Sequence, residues 1–256
     1  EPSAFELALR ETGAEVEEIA RRLFSDGVFV WGHDKAAHDQ THTLIDEKTP
    51  TIFQAVFLVD GFLAVADVLK FNIETGGFTI YEIKSASHMK KEYLYDVAFQ
   101  VMLLDRCGLK IDQAHLTHLN SDYVRQGDLD PHNLFSQENI TPQIDEMKET
   151  VTREMEDSMA YLLSEAEPVG QCDCIYRGRS NHCTTFNYSN PRVPEYGIHD
   201  ISRIGSSPKK LRELVDLGKF ELDEIPTHVQ LTENQQIQVD TYKSGQVVIQ
   251  RDAIAT

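Results

Sequence analysis

Four residues between positions 67 and 100 have side chains suited to the hydrolysis of a phosphodiester. Asp67 lies in one apolar run, Glu82 and Lys84 are one residue apart in the next run, and Gln100 follows in a helical pattern. Carboxylate oxygens bind hard divalent cations such as Mg2+ or Mn2+, and an ammonium group can stabilise negative charge in a transition state. These residue types at this spacing therefore predict a metal-dependent phosphodiesterase site.

Each residue of this site has an expected role. Asp67 and Glu82 would be the carboxylate ligands of the cation, and the backbone carbonyl of Ile83 would be a third ligand. Lys84 would orient the attacking hydroxide or stabilise transition-state charge, and Gln100 would position water or the substrate backbone. The same triplet also arises by chance in acidic proteins, where it is an ion pair at the solvated end of a strand.

The surrounding pattern predicts two strands joined by a hairpin, then a third strand and a helix. Two apolar runs within 52–70 flank an Asp-Gly turn, which is a strong hairpin signal. Because alternate side chains of a strand share a face, we expect Glu82 and Lys84 to point the same way. The helical spacing that follows places Asp96 and Gln100 on one face of a helix.

The periodicity of apolar residues assigns most of the remaining chain to further elements and predicts an α/β domain with a mixed β-sheet flanked by helices. Gly27 is expected to close the first helix, and the helix that carries Gln100 to stop near Gly108. The expected elements are helices at about 3–24, 142–166 and 207–218, strands at about 52–59, 62–70, 78–84 and 113–119, and two short strand-like runs around Ser244-Gly245.

The chain is expected to divide into three parts. Residues 1–168 would form the core that carries the phosphodiesterase site. Residues 169–225 would form a cysteine-bearing appendage with a short helix that packs on this core, and residues 226–256 a tail or linker. Because the chain begins with Glu1-Pro2 rather than Met, we expect a segment of a longer protein, with another domain after the tail.

Composition and charge limit the possible partners. The 256 residues are 41% hydrophobic, and the sequence has neither a run of about eighteen apolar residues nor a secretory leader. We therefore expect no membrane partner and a cytoplasmic location. The formal net charge of −18 is unusual for a nucleic-acid-binding protein. A local cluster of Lys84, Lys90 and Lys91 would contact phosphates, or else these are scattered solvated charges.

Three of the four cysteines, Cys172, Cys174 and Cys183, lie within a dozen residues in a polar loop. In a reducing compartment, clustered cysteines bind metal more often than they form disulfides. The three could bind a metal ion or a cluster, His182 could complete a Cys3His zinc site, or the thiols could be free. Cys107 lies on the apolar side of a predicted helix and is expected to be a buried thiol.

The order of the acidic, basic and amide residues resembles the RecB-type PD-(D/E)xK nucleases, which include the CRISPR-adaptation and helicase-associated exonucleases. Asp67, Glu82, Lys84 and Gln100 match the active-site motif of that superfamily. The resemblance covers most of the chain and extends to a bacterial family of unknown function, whose module precedes a DEDD-type exonuclease domain. The segments that carry it are GAEVEEIARRLFSDGV, TIFQAVFLVDGFLAVADVL, YEIKSAS, YLYDVAFQ, HLTHLNSDYVRQGDLD and LFSQENIT.

This resemblance implies a restriction-endonuclease-like fold and a deoxyribonuclease that depends on Mg2+ or Mn2+, with exonuclease activity favoured over endonuclease activity. DNA would be the partner, and an exonuclease-like domain would follow in the same chain. It also implies a [4Fe–4S] cluster on Cys172, Cys174 and Cys183. These cysteines match the three that follow the nuclease core in iron–sulfur relatives, in which a fourth cysteine precedes the core.

Three positions depart from the family pattern. Gln54 stands where many relatives have Glu, and Leu104 stands where the helix motif usually has Tyr. Glu17 or Glu18 takes the neighbourhood of a metal-contacting His, although both are expected on an exposed helix face. These departures support a second interpretation, a weakened nuclease fold that binds nucleic acid or assists assembly for the neighbouring exonuclease domain. A metal-stapled structural scaffold is a third.

Overall fold

The computed structural model describes residues 4–25, 27–164 and 172–246. The chain divides into two compact units, Glu1–Ser164 and Glu165–Thr256, and each is described by itself. The first unit is a six-stranded mixed β-sheet flanked by helices, which confirms the predicted α/β class. The finer division of the chain at residues 168 and 225 stays a prediction.

Neighbouring strands of the sheet are also neighbours in the sequence. The strands are β1 (Gly27–Phe29), β2 (Thr51–Val59), β3 (Phe62–Phe71), β4 (Phe78–Lys84), β5 (Ile111–Leu119) and β6 (Phe135–Asn139). The pairs β1–β2 and β4–β5 are parallel, and the other three pairs are antiparallel. A parallel pair needs a crossover connection, and a helix provides it in both cases.

Helices cover both faces of this sheet. Alternate side chains of β2 and β3 enter different clusters, so Ile52 and Leu69 pack with the main core while Phe53 and Val68 pack with a second cluster on the other face. The helices are α1 (Ala4–Ala20), α2 (Lys35–Asp46), α3 (Lys91–Arg106), α4 (Pro131–Leu134) and α5 (Thr141–Leu162). Residues of α3 and α5 join the main core, and residues of α1 join the second cluster.

Helix α2 supplies hydrogen-bond acceptors to the edge of β2. Strand β1 pairs with β2 only as far as Phe53, so the next backbone N–H groups on that edge need other partners. Val56 N donates to Thr41 Oγ1 at 3.0 Å, and Leu58 N donates to His38 Nδ1 at 3.0 Å. The helix therefore covers an edge that would otherwise expose unpaired backbone groups.

Two features near the start of the chain differ from the sequence-based expectation. Gly27 does not close the first helix but begins β1, where a Cβ would overlap the ring of Phe53. The histidine-containing stretch at 33–43, to which no element was assigned, mostly forms α2, which begins at an Asp34 N-cap. Its apolar residues are too few to give a clear helical period.

The second unit is built from short helices and 3-10 turns around its own apolar cluster, which includes Ile175, Ile198 and Leu211. The helix that ends at Ser244 replaces the predicted strand-like run before that residue, and it begins at a capping box formed by Thr232 and Gln235. Most of the predicted run after Gly245 lies outside the described residues. The helices are α6 (Phe186–Ser189), α7 (Pro208–Asp216) and α8 (Glu233–Ser244).

None of the helices within the described residues is long and apolar enough to cross a membrane.

The contact between α2 and β2 yields a stability prediction. Thr41 is fully buried, and its hydroxyl donates to Ala37 O at 2.9 Å while accepting from Val56 N. Thr41→Val keeps the shape but leaves a buried N–H without an acceptor, so we expect a loss of about 1–3 kcal/mol in the free energy of unfolding. Urea denaturation of the full chain measures it.

Thr43→Val on the same helix is the matched control, because Thr43 is exposed and its hydroxyl bonds only to Asp39 O. We expect this variant to lie within about 0.5 kcal/mol of the wild type. Equal losses in the two variants would show that the Val56 contact contributes nothing specific.

Candidate active site

The register of β3 against β4 brings Asp67 next to Glu82. Val68 pairs with Tyr81, so Asp67, one residue earlier on the antiparallel strand, comes level with Glu82. Asp67 Oδ2 accepts a hydrogen bond from the Ile83 backbone N–H at 2.8 Å. The hairpin and the next strand thus bring together the two carboxylates that the sequence indicated.

Lys84 lies between two carboxylates at the end of β4. Its Nζ is 2.7 Å from Glu82 Oε1 and 2.5 Å from Asp96 Oδ2. It also lies 5.4 Å from the ring centroid of Tyr93. Asp96 was predicted to share a helix face with Gln100, but its contact with Lys84 was not anticipated. The signal was available, because a helix that follows β4 and packs on the sheet turns one face towards the sheet.

Gln100 fixes the second oxygen of the Glu82 carboxylate. Its Nε2 donates to Glu82 Oε2 at 2.8 Å, and both residues are only 5% exposed. Its Oε1 is buried and has no hydrogen-bond partner among the described residues. The predicted role in placing water or substrate would therefore fall to Oε1, since the amide nitrogen holds Glu82.

Gln54 joins the first helix to the site. Its Nε2 donates to Asp67 Oδ1 and to Glu17 Oε1, both at 2.9 Å. The backbone of Gln54 has a φ of 54°, a conformation that is rare for a residue other than glycine and is often found at functional sites. Glu17 is partly buried and faces the site, whereas Glu18 is exposed. The expectation of an exposed face therefore holds only for Glu18.

Burial and nearby negative charge raise the pKa values of both carboxyl groups, the charge being that of Glu82 for Asp67 and that of Asp96 for Glu82. The pKa of Asp67 lies well above its ordinary value because of burial and the charge of Glu82, although the Ile83 N–H opposes the shift. Burial also raises the pKa of Glu82, and nearby Lys84 only partly offsets this. Neighbouring buried carboxylates of this kind favour the binding of a cation.

The ammonium group of Lys84 stays protonated at neutral pH. Burial lowers its pKa, but the charges of Glu82 and Asp96 outweigh this effect and raise the pKa above its ordinary value. Lys84 can therefore stabilise negative charge but is a poor general base.

The cysteines of the second unit form a separate group. Cys172 Sγ and Cys183 Sγ are 3.6 Å apart, and all three sulfurs, with that of Cys174, lie within 4.8 Å of one another. The three cysteines could therefore hold a metal ion, and among the described residues no other set of three His, Cys, Asp or Glu side chains converges in this way. His182 is not part of the group, and Cys107, in the first unit, is partly buried.

No protein-family model and no curated protein matches this chain. A solved structure described as "Crystal structure of SSO0001" matches with a TM-score of 0.29 and 13% sequence identity, over 72% of this chain and 98% of that chain. A similarity at this level carries no argument about fold family or function.

The raised pKa of Asp67 makes stability depend on pH. An acid whose pKa is higher in the folded state binds more protons there, so stability falls as pH rises from the ordinary carboxyl pKa of about 4 to the raised value. Asp67→Asn removes this group. We expect the metal-free variant to gain stability relative to the wild type as pH rises through this window, as measured by urea denaturation across a pH series.

Asp128→Asn is the control, because Asp128 is exposed. Its difference from the wild type should change little with pH. A difference between Asp67→Asn and the wild type that stays constant, or that falls with rising pH, would contradict the prediction.

Proposed function

We propose that the first unit is a metal-dependent nuclease that hydrolyses phosphodiester bonds in DNA. The observation that carries the proposal is the pairing of partly buried Asp67 with buried Glu82 on adjacent strands, with the Lys84 ammonium bound to Glu82. The strand, helix and residue order supports a restriction-endonuclease-like fold of the RecB-type PD-(D/E)xK superfamily. An exonuclease is favoured over an endonuclease, and it would act beside an exonuclease-like domain later in the chain.

The residues present fit a hard divalent cation. Two adjacent carboxylates have raised pKa values, and the buried Oε1 of Gln100 lacks a partner within the part of the chain that the structure describes. Asp67, Glu82 and the Ile83 carbonyl would hold the cation. Bound Mg2+ or Mn2+ would neutralise phosphate charge and make a water molecule more nucleophilic at neutral pH.

Side chains of this unit would do the remaining work. Gln100 holds the Glu82 carboxylate in one orientation through its amide nitrogen. Asp96 and Glu82 hold Lys84 from two sides, so its ammonium is already placed where negative charge would develop on the phosphate. A donor that is oriented before the substrate arrives needs no reorganisation during the reaction.

DNA would approach an acidic protein through a local basic surface. Lys90 and Lys91 lie at the start of α3, close in sequence to the site, and contact the rings of Tyr93 and Tyr95 at 5.7 and 5.6 Å. These lysines, with Lys84, would contact phosphates, while the net charge of −18 would weaken binding elsewhere on the surface. Binding should therefore be weak at high salt.

Lys84→Ala tests the proposal directly. We expect the rate of DNA hydrolysis with Mn2+ to fall by about 100-fold or more, because an oriented charge donor is removed. The assay would use single- and double-stranded substrates, with circular dichroism to show that the variant is folded. Lys70→Ala is the matched control, since Lys70 is an exposed lysine on the neighbouring β3. Undiminished activity in Lys84→Ala would exclude Lys84 from catalysis.

A second candidate function is a nuclease fold with weakened activity that binds nucleic acid or assists assembly for the neighbouring exonuclease domain. The hydrogen bonds of Gln54 favour it. Its amide nitrogen lies between Glu17 and Asp67 and donates a hydrogen bond to one oxygen of each carboxylate. A cation that bound both acids would have to displace this amide. Retained binding of nucleic acid without measurable binding of Mn2+ would select this function.

Gln54→Glu separates the two functions. A third carboxylate next to Asp67 adds negative charge and removes the amide donor, so we expect the affinity for Mn2+ to rise by about tenfold or more. Isothermal titration of the wild type and the variant measures this, and Gln113→Glu, a change at an exposed position of β5, is the control. An unchanged or lower affinity would show that the amide does not compete with the cation.

A further inference from the structure

The three clustered cysteines lie too close together for the [4Fe–4S] cluster that the resemblance implies. In such a cluster each thiolate binds a different iron atom at a corner of the cube, so the cluster itself holds the sulfurs apart. Here Cys172 Sγ and Cys183 Sγ are 3.6 Å apart, and the sulfur of Cys174 lies within 4.8 Å of both. There is no room for a cube of iron and sulfide between these atoms.

The same spacing suits one tetrahedral ion. With a Zn–S bond of about 2.3 Å, two thiolates of a regular tetrahedron lie about 3.8 Å apart. The Cys172–Cys183 distance of 3.6 Å is close to this value. Sulfur-rich tetrahedral sites select zinc among the common divalent ions, since harder ions prefer oxygen.

Local backbone structure holds the sulfurs in this arrangement. A 3-10 turn at Asp173–Tyr176 lets Cys174 N donate to Cys172 Sγ at 3.4 Å, which fixes the position of this sulfur relative to the turn. Ile175, in the same turn, is buried in the apolar cluster of the second unit, and Cys174 and Cys183 pack against that cluster. Packing therefore fixes Cys174 and Cys183, and hydrogen bonds to both of them hold the sulfur of Cys172.

We propose that Cys172, Cys174 and Cys183 bind a single zinc ion and not an iron–sulfur cluster. Among the described residues, no fourth His, Cys, Asp or Glu has a ligand atom within 4.8 Å of all three sulfurs. We therefore assign these three cysteines as ligands, and a water molecule or another group would complete the tetrahedron. This proposal does not depend on nuclease activity, because the cysteines and the acidic site belong to different units of the chain.

Metal analysis of the full chain tests the proposal. The protein would be expressed with both iron and zinc supplied and purified without oxygen, so that an oxygen-sensitive cluster would survive. We expect about one zinc per chain, no inorganic sulfide and no visible iron–sulfur absorption. Iron together with sulfide would overturn the proposal, and so would a single iron ion or a chain that binds no metal.

Variants and thiol modification identify the ligands. We expect Cys183→Ser to lose most of its zinc, and Cys107→Ser, which changes the one cysteine outside the cluster, to keep it. Cys183→Ser could lose zinc only because it fails to fold. The second measurement therefore uses the wild type, which is titrated with a mercurial reagent in the presence of a zinc-sensitive dye. Zinc should be released as these three thiols react. Zinc that remains bound after they have all reacted would overturn the assignment.

Discussion

Two adjacent carboxylates, one buried and one partly buried, impose the main constraint on the first unit. Asp67 and Glu82 lie on adjacent strands, and neither can ionise without repelling the other. The surrounding groups respond to that charge: the Ile83 N–H binds Asp67, and Lys84 and Gln100 bind the two oxygens of Glu82. Partial compensation leaves both pKa values raised.

The strand topology explains why these groups meet. An antiparallel pairing of β3 with β4 sets Asp67 against Glu82, while the parallel pairing of β4 with β5 requires a helix to cross over. That helix is α3. It carries Asp96 and Gln100 back to the end of β4, where they bind Lys84 and Glu82. Residues 67 to 100 therefore form one continuous structural unit that contains most of the site.

Local patterns in the sequence were enough to predict this region but not its surroundings. Alternation along β4 and the helical period of α3 are clear because both elements bury most of their apolar residues. Helix α2 was missed because only Ala37 and Thr41 are buried on it, and it is held by hydrogen bonds to the β2 edge. The bridge from Gln54 to Glu17 joins residues 37 positions apart through an unusual backbone conformation, which no local period could indicate.

Gln54 shows how far a neutral side chain can replace a positive charge at this site. An amide donor satisfies one oxygen of Asp67 and one of Glu17, but it brings no net charge. The pKa of Asp67 stays high despite this hydrogen bond and that from Ile83, since burial and the charges of Glu82 and Glu17 act against ionisation. The oxygens of Asp67 thus have hydrogen-bond donors, but the negative charge of the carboxylate is not neutralised. Because a divalent cation would supply the missing charge, the unfavourable electrostatics of these acids remain a source of binding free energy even with the amide in place.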